Sequence, residues 1–428
     1  MMVCFISLSA GYADTATPPS KPDGSQPMGT PPQAPDGTQM MAPPDGTGSA
    51  QSLDLNGVYI VDGTTETGTE QRYSSANADE NAVLVRNGGS LTLENASIDK
   101  AGDTSSADNS NFFGLNAAIA VQAGSSVVLS NLTLTTTAEG ANAVFATGEG
   151  AQITISGSTI KTTGNSARGL DATFGGTITA SDVTIETTGA HCAPIATDRG
   201  EGTITVDNAT LKAQGDGSPC VYSTGTITLH HVSGIATGSQ ACVIEGKNTI
   251  DMTDSDLTGA GLNGVMLYQS TSGDAGEGTS VLTSTNSELS TTGSGPMFYI
   301  TNTDAKINLV NTTLNFSSGI LIKAAGNNTN NWGVPGSNGG NLEFYASNQS
   351  LSGLIVCDEI STVSVTLDDG AVFEGAIDAE NTGACTLNIM PGAVFTLTAD
   401  SYLDSITCTG TLNLNGHSIY LADGTVMK

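Results

Sequence analysis

Two segments, one repeat apart, hold most of the side chains that could perform acid–base chemistry. NSARGLDATFGG supplies Arg168 and Asp171, and AHCAPIATDRGEG supplies a denser set: His191, Cys192, Asp198, Arg199 and Glu201. The chain has only four histidines and 12 lysines and arginines in total, so this concentration is selective. Carboxylates beside an arginine can divide acid and base roles, or they can hold a charged ligand. An alignment of the repeats places Arg168 beside Cys192.

Two interpretations of this cluster lead to different functions. One is catalysis, and the other is a set of charges that neighbouring repeats satisfy between themselves. The sequence has no compact Asp-Asp pair followed by Gly-His-Gly, and no run of Arg and Lys at matching repeat positions. We therefore assign no catalytic residue, and we predict that Arg168, Asp171 and Arg199 contribute to binding.

Calcium is the only cofactor that the loops suggest, and no metal ligand can be named. SADNSN, TDSD and SGDAGEG offer oxygen ligands without EF-hand or nonapeptide spacing. Six cysteines follow the first 13 residues, none in a CxxC pair. Two of them, Cys220 and Cys242, are predicted to share one inward column as buried, reduced thiols.

The segment that opens each repeat predicts an apolar stripe along one outer face. Alternation puts one parity inside, so the other parity and two neighbours face outward: Phe145, Asp171, Ile195, Val221, Val243, Met266, Tyr268, Phe298 and Ile300. Such a stripe either lies beneath a long insert or binds a partner. In the binding interpretation, sugars stack on Tyr268 and Phe298, or a protein docks there. The stripe adds five residues to the predicted binding site: Phe145, Ile195, Met266, Tyr268 and Phe298.

A short phrase that recurs about a dozen times must position these residues. GGTITASDVTIETTG at 175–189 returns as GAQITISGSTIKTTG, EGTITVDNATLKAQG and TGTITLHHVSGIATG. The apolar openings of successive repeats are 22 to 35 residues apart, most often near 24, and the longer steps carry Gly/Asn/Asp-rich inserts. Within the phrase, apolar residues alternate with Thr and Ser, which predicts short strands. A fixed period with inserts in one part of the unit is typical of a solenoid.

One column of the phrase predicts where each coil bends. It contains residues that tolerate a left-handed backbone: Asn95, Asn131, Gly157, Asp182, Asn208, His231, Asp254, Asn286 and Asn311. Three positions further on, a column of Ile and Leu is predicted to point inward, and the Ser/Thr column just before it is predicted to point outward. Stacked coils would then build ladders of like residues about 4.8 Å apart.

Composition and the N-terminal segment indicate an exported protein. The chain carries 42 acidic and 12 basic residues, a net charge of −30, which makes nucleic acid or anionic lipid a poor partner. Residues 1–13, MMVCFISLSAGYA, resemble a signal peptide without a basic n-region, which suggests a truncated start. Residues 14–50 hold nine of the 14 prolines and are predicted to be a disordered spacer. No later segment approaches the ~18 apolar residues of a membrane helix.

The period, the bend column and the inward stacks of residues 51–428 resemble the right-handed parallel β-helix of the pectin-lyase-like superfamily, especially its exported bacterial, adhesin-like members. The resemblance implies an all-β, single-stranded right-handed parallel β-helix of about 12–13 coils. In enzymes of that fold, an arginine serves as the base and acidic residues hold calcium, or paired aspartates divide the acid and base roles. The hand is taken from the resemblance.

We expect from this resemblance a non-catalytic, secreted or cell-surface, monomeric protein. Its expected partner is a polysaccharide or another surface glycan or protein, bound through a side face of the solenoid. The alternative is a polysaccharide lyase or glycoside hydrolase of the same fold, centred on Arg168, Asp171, His191 and Arg199.

Overall fold

The chain winds into an all-β parallel solenoid of about 14 turns, which confirms the predicted fold class. The computed structural model describes residues 5–6, 53–328, 330 and 332–428. The predicted signal peptide and spacer lie outside the described residues, except for the two-residue strand Phe5–Ile6. The backbone of that strand pairs in parallel with Thr411–Asn413 near the other end of the chain.

The first sheet receives one strand from each turn. It has 16 strands, which pair in parallel with the corresponding strands of the turns above and below. Its strands are Phe5–Ile6, Asn56–Asp62, Glu80–Arg86, Ile119–Gln122, Val144–Thr147, Leu170–Thr173, Ile195–Thr197, Val221–Ser223, Cys242–Glu245, Val265–Tyr268, Phe298–Thr301, Ile320–Ala324, Ser350–Cys357, Val372–Ile377, Val394–Leu397 and Thr411–Asn413.

The second sheet bends across a corner and supplies the rest of each turn. It has 21 strands, and three of them run through the corner without a break. Its strands are Thr65–Thr69, Arg72–Ser75, Ser90–Glu94, Ser97–Lys100, Ser126–Ser130, Thr133–Thr136, Gln152–Ser156, Thr159–Thr162, Thr177–Thr187, Thr203–Ala213, Thr226–Ala236, Thr249–Thr253, Asp256–Gly259, Thr279–Thr285, Glu288–Thr291, Thr303–Val310, Thr313–Asn315, Gly340–Ser347, Thr362–Leu367, Ala384–Ile389 and Ser405–Cys408.

The predicted bend column forms this corner. All nine of its residues have φ between 49° and 58°, the left-handed region that Asn, Asp and Gly adopt at least cost. Neighbouring turns also bond through it, since Asn208 Nδ2 donates to Asp182 Oδ1 at 2.5 Å and Asn311 Nδ2 donates to Asn286 Oδ1 at 2.9 Å. Side-chain amides therefore link successive turns in part of the column.

The core is a stack of like residues inside the coil. The inward column beyond the corner is buried from Ile98 to Leu289, as the phrase predicts, and Leu314 at its end is half-buried. A second stack consists of glycines, because a side chain at these positions would not fit between adjacent turns. A Cβ placed on Gly215 would lie 1.7 Å from Gly189 O in the preceding turn, so adjacent turns touch backbone to backbone. The recurring final glycine of the phrase thus permits the stacking distance.

Three inserts and a change of cross-section interrupt the regular turns, and the last insert, between Ile320–Ala324 and Gly340–Ser347, contains Trp332. The first insert contains the helix α1, Ala107–Phe113, which Ser106 caps at its N-terminus and Gly114 ends in a left-handed conformation. The second insert spans residues 269–278. After Thr313–Asn315, the described turns have no strand beyond the corner, so each turn has two strands instead of three.

A small third sheet closes the C-terminal end. It contains Ser401–Leu403, Ile419–Leu421 and Val426–Met427, and its last pair is antiparallel. In the part of the chain that the structure describes, no helix has the length and apolar character needed to span a membrane.

Candidate functional site

Arg168 lies at the centre of a buried ion-pair cluster on the outer side of the first sheet. Its Nε lies 2.7 Å from Asp198 Oδ2 and 3.7 Å from Asp171 Oδ2. Nη1 donates to Asn111 Oδ1 at 2.6 Å, and the backbone N–H donates to Asn142 Oδ1 at 2.8 Å. The structure thus brings together Arg168, Asp171 and Asp198 from the polar cluster that the sequence indicates, and it adds α1 as a partner through Asn111.

Burial raises the pKa of both carboxyl groups in this cluster. Asp171 is fully buried, and no side chain of the described residues donates a hydrogen bond to its carboxylate. Burial raises the pKa of Asp171 well above its ordinary range; the charge of Asp198 raises it further, and Arg168 opposes the rise. Burial also raises the pKa of Asp198 to about 6, against the opposing charge of Arg168. The arginine is therefore neutralised chiefly by Asp198.

The neighbours of Arg168 differ by one residue from the predicted alignment. Ala167, not Arg168, lies beside Cys192, since the Ala167 N–H donates to Cys192 Sγ at 3.0 Å. Burial raises the pKa of the Cys192 thiol to about 11, so it remains protonated and is a poor nucleophile at neutral pH. Burial, and then the charge of Arg168, lower the pKa of His191.

The two predicted column cysteines are buried thiols, but they do not share a column. Strand pairing sets Cys242 beside Val221, while Cys220 comes one residue before that strand position. Both thiols are free and fully buried, as predicted. Burial raises the pKa of Cys242 to about 12. The two cysteines pack as small apolar side chains.

Two inserts meet above the cluster, and Arg199 joins them. Its guanidinium carbon lies 4.0 Å from the ring centroid of Phe112 in α1, and its Nη2 lies 2.5 Å from Asp274 Oδ1 in the 269–278 insert. Phe113 stacks on Phe174 with ring centroids 5.4 Å apart. Phe174 has φ of 49°, which a bulky residue seldom adopts. The inserts thus cover the cluster, and Arg168, Asp171 and Asp198 are buried beneath them.

A second buried acid, Glu245, lies further along the same outer face. Its Oε2 accepts hydrogen bonds from Tyr222 Oη at 2.6 Å and Tyr268 Oη at 2.8 Å, and its Oε1 accepts one from Ser270 Oγ. Burial raises the pKa of Glu245. Tyr268, a predicted binding residue, is half-buried, and its ring centroid lies 4.4 Å from that of Trp332. Tyr268 therefore packs against Trp332 instead of lying fully exposed.

The predicted exposure of the apolar stripe is wrong at Phe145 and Met266, because inserts cover the residues that do face outward. Phe145 is fully buried with Leu84 and Leu115. Met266 is 3 % exposed and packs with Val243, Tyr299 and Trp332. At these two positions the stripe therefore lies beneath inserts, which is the first of the two interpretations that the sequence allows.

At Ile195 and Phe298 the predicted orientation itself is wrong. Ile195 pairs with Leu170, and Phe298 pairs with Val265, so both point into the core and are fully buried. The turn before each of these strands differs by one residue from the alignment of apolar openings. Because side chains alternate with period two, a slip of one residue exchanges the inner and outer faces.

Sequence reasoning missed several members of the site. Asn111 bonds Arg168, Asp274 pairs with Arg199, and Tyr222 bonds the neighbouring acid Glu245. The first two lie in SADNSN and SGDAGEG, segments whose oxygen atoms suggest calcium. The lengthened repeat steps were the available signal, since an insert placed beside one strand can fold over its face. Among the described residues, no group of three or more His, Cys, Asp or Glu is arranged to hold a metal ion.

A regular surface lies on the outer side of the second sheet before the corner, and we name it the threonine face. One column runs through consecutive turns in unbroken register: Thr67, Thr92, Val128, Thr154, Thr179, Thr205, Thr228, Asp251, Thr283, Asn308, Tyr345, Thr366, Asn388 and Thr407. A second column runs parallel to the first, two residues earlier in each strand. It contains Thr177, Thr203, Thr226 and Thr249. Hydroxyl and amide groups therefore repeat at the spacing of the turns.

No family model, curated protein or solved structure matches this chain. The fold assignment therefore depends on the strand pairing of this chain alone, and the function must be argued from its surfaces.

Proposed function

We propose that this protein is a non-catalytic, adhesin-like solenoid, exported or displayed at a cell surface, which binds a glycan through the threonine face. The observation that carries the proposal is a contrast between two faces. The charged groups suited to chemistry lie beneath inserts, with Arg168, Asp171 and Asp198 each less than a tenth exposed. Ten of the 14 residues in the column of the threonine face carry a hydroxyl group, and Thr67, Thr92, Thr154 and Thr179 are exposed.

The chemistry of this face suits a polymer with many hydroxyl groups. Parallel strands repeat about every 4.8 Å, so each turn offers equivalent hydroxyl donors and acceptors to an extended chain. Each such contact is weak, and several contacts made together give useful affinity. The net charge of −30 favours a neutral or basic glycan over an acidic one. A protein with a complementary polar surface is the other partner of this kind.

Isosteric substitutions test the face directly. Thr179→Val, Thr205→Val and Thr228→Val together remove three hydroxyls while they preserve side-chain shape and strand propensity. The matched control is Thr159→Val, Thr184→Val and Thr210→Val, three exposed threonines in register beyond the corner. We expect the first triple variant to lose about tenfold or more in affinity on an array of glycans, mucins and matrix proteins, and the control to bind as the unchanged chain does.

Three results of this experiment contradict the proposal in different ways. No binding of the unchanged chain to any glycan or protein on the array refutes the function. Equal losses in both triple variants refute the choice of face. Binding to matrix proteins alone replaces the glycan with a protein partner.

One observation favours a polysaccharide lyase or glycoside hydrolase as the second candidate. Asp171 and Asp198 flank one arginine and titrate above their ordinary range, as catalytic carboxyls often do. Catalysis would require the inserts to open, since the cluster is buried. Release of unsaturated or reducing sugars from polysaccharides, with calcium present, tests this candidate. Activity that Arg168→Ala abolishes would establish it in place of simple binding.

A further inference from the structure

The second sheet contains a strand edge where its cross-section changes. Thr313–Asn315 is the last strand beyond the corner, and among the described strands it pairs only with Glu288–Thr291. The Thr313 N–H donates to Ser287 O at 2.8 Å, toward the preceding turn. Alternate peptide groups of a parallel strand face opposite neighbours. The peptide groups of Thr312 and Leu314 therefore face the side on which no further strand of this column follows.

A side chain takes the place of the missing strand at Thr312. The Thr312 N–H donates to Gln349 Oε1 at 2.7 Å, and Gln349 Nε2 donates back to the Thr312 carbonyl. Gln349 is 2 % exposed, so this amide is part of the folded interior. It pairs with Thr312 as a peptide group of the next turn would. The ladder of backbone hydrogen bonds therefore ends at Thr312 and does not continue to the peptide groups of Leu314.

A groove begins where Gln349 ends. Its volume is about 470 Å³, within the range of small-ligand sites, and one wall is the edge strand itself. The opposite wall belongs to the first sheet: Ser350, Leu351, Ser352, Val372 and Glu374. Val372 is 40 % exposed, so this wall offers an apolar contact as well as hydroxyl groups. The groove thus combines an open backbone edge with a side-chain floor.

The backbone edge selects a peptide rather than a sugar. A peptide in extended conformation can supply both the carbonyl and the N–H that the Leu314 peptide groups require, at the spacing of a strand. The charge of the groove comes from Glu374, an exposed residue, within a chain of 42 acidic and 12 basic residues. A basic side chain on the incoming strand would meet that carboxylate.

We propose that this groove binds an extended basic peptide segment as an added strand next to Thr313–Asn315, with a lysine or arginine beside Glu374. The site is separate from the threonine face and does not depend on the function assigned to that face. A peptide bound there would continue the ladder from the point where the Gln349 side chain ends it.

Matched peptides test the backbone contact in the full chain. The probes are a fluorescein-labelled, end-capped heptapeptide of alternating threonine and lysine, the same peptide with glutamate for lysine, and a third with N-methylated alternate peptide bonds. We expect fluorescence anisotropy to show saturable binding of the first peptide and at least about tenfold weaker binding of the other two. Equal binding of the N-methylated peptide overturns the added strand. Binding of a β-1,4-linked glucose hexamer in place of all peptides overturns the ligand class.

A charge exchange tests the position of the peptide. Glu374→Lys should weaken the lysine peptide and strengthen the glutamate peptide, each by about tenfold, whereas Glu94→Lys, also exposed, should change neither. Stronger binding of the glutamate peptide cannot arise from misfolding of the Glu374→Lys variant. An unchanged preference in Glu374→Lys refutes the site. The threonine-face triple variant should bind the lysine peptide normally. The peptide experiment can therefore be interpreted even if the glycan proposal fails.

Discussion

Arg199 lies with its guanidinium carbon 4.0 Å from the ring centroid of Phe112, while the same guanidinium bonds Asp274. Phe112 belongs to α1, and Asp274 belongs to the 269–278 insert, which follows more than 150 residues later. A single partly exposed side chain therefore connects two segments that cover the buried acids.

Arg199→Ala should loosen both inserts while the solenoid remains folded. A cation–π contact and a partly exposed ion pair together contribute about 1–2 kcal/mol. We expect backbone hydrogen exchange to become about tenfold faster in residues 107–113 and 269–278. Arg72→Ala, which removes a more exposed ion pair with Asp99, is the control and should leave both segments protected. Unchanged exchange in either insert would show that Arg199 does not join them.

Asp171 should make the protein less stable as pH rises. An unfolded aspartate loses its proton near pH 4, whereas folded Asp171 retains its proton to higher pH because its pKa is raised. Between these two values the folded state binds more protons, so the free energy of unfolding decreases with increasing pH. Asp171→Asn mimics the protonated side chain, and we expect its Tm to decrease less than that of the unchanged chain between pH 4 and pH 7.

The control for this titration has the opposite sign. Hydrogen bonds from Asn87 and Arg86 lower the pKa of exposed Asp62, so it stabilises the fold above pH 4 and loses that effect in acid. Asp62→Asn should therefore lower the Tm at neutral pH and have little effect at pH 3. Parallel Tm profiles for Asp171→Asn and the unchanged chain would mean that Asp171 is ionised in the folded state.

The corner column predicts a rank order of substitutions at Asn208. Valine is strained at φ of 56° and also removes the amide that bonds Asp182, so Asn208→Val should cost about 2 kcal/mol or more. Asn208→Gly loses only the amide and should cost about 1 kcal/mol. Urea unfolding midpoints measure both. A midpoint for the valine variant at or above that of the glycine variant would contradict a left-handed corner.

Gly215→Ala should be severely destabilising. The added methyl group would lie 1.7 Å from Gly189 O, and backbone can move away only by separating two turns. We expect a loss of several kcal/mol, measured as a large decrease in Tm or in soluble yield. Gly88→Ala is the control, since it has a positive φ but no atom within 4 Å of the new Cβ. Gly215 has no positive φ, so a loss at Gly215 no larger than that at Gly88 would contradict the close backbone contact between the two turns.

The sequence predicted those features that depend on the residue type at a single position of each turn. A bend with positive φ limits its position to a few residue types, and all nine predicted residues from Asn95 to Asn311 occupy it. The inward Ile and Leu column follows from alternation. The number of turns is about 14 rather than 12–13, because the two-strand turns after residue 340 lack the complete phrase.

The first sheet and its covering inserts were harder to predict, for two physical reasons. The turns that enter its strands vary by one residue, and one residue is enough to exchange inside and outside, as at Ile195 and Phe298. The contacts of the inserts are also remote in sequence. Asn111 meets Arg168 at a separation of 57 residues, and Arg199 meets Asp274 at 75, with no repeat to align them.

The unbroken register of the threonine face allows the solenoid to change its length by whole turns. The strands that begin at Thr177, Thr203 and Thr226 lie in register, and each begins with the same three residues, Thr-Ile-Thr. A duplication or deletion of one whole turn would therefore rejoin matching surfaces, and recombination within the repeats could vary the reach of the rod in fixed increments without a new interior.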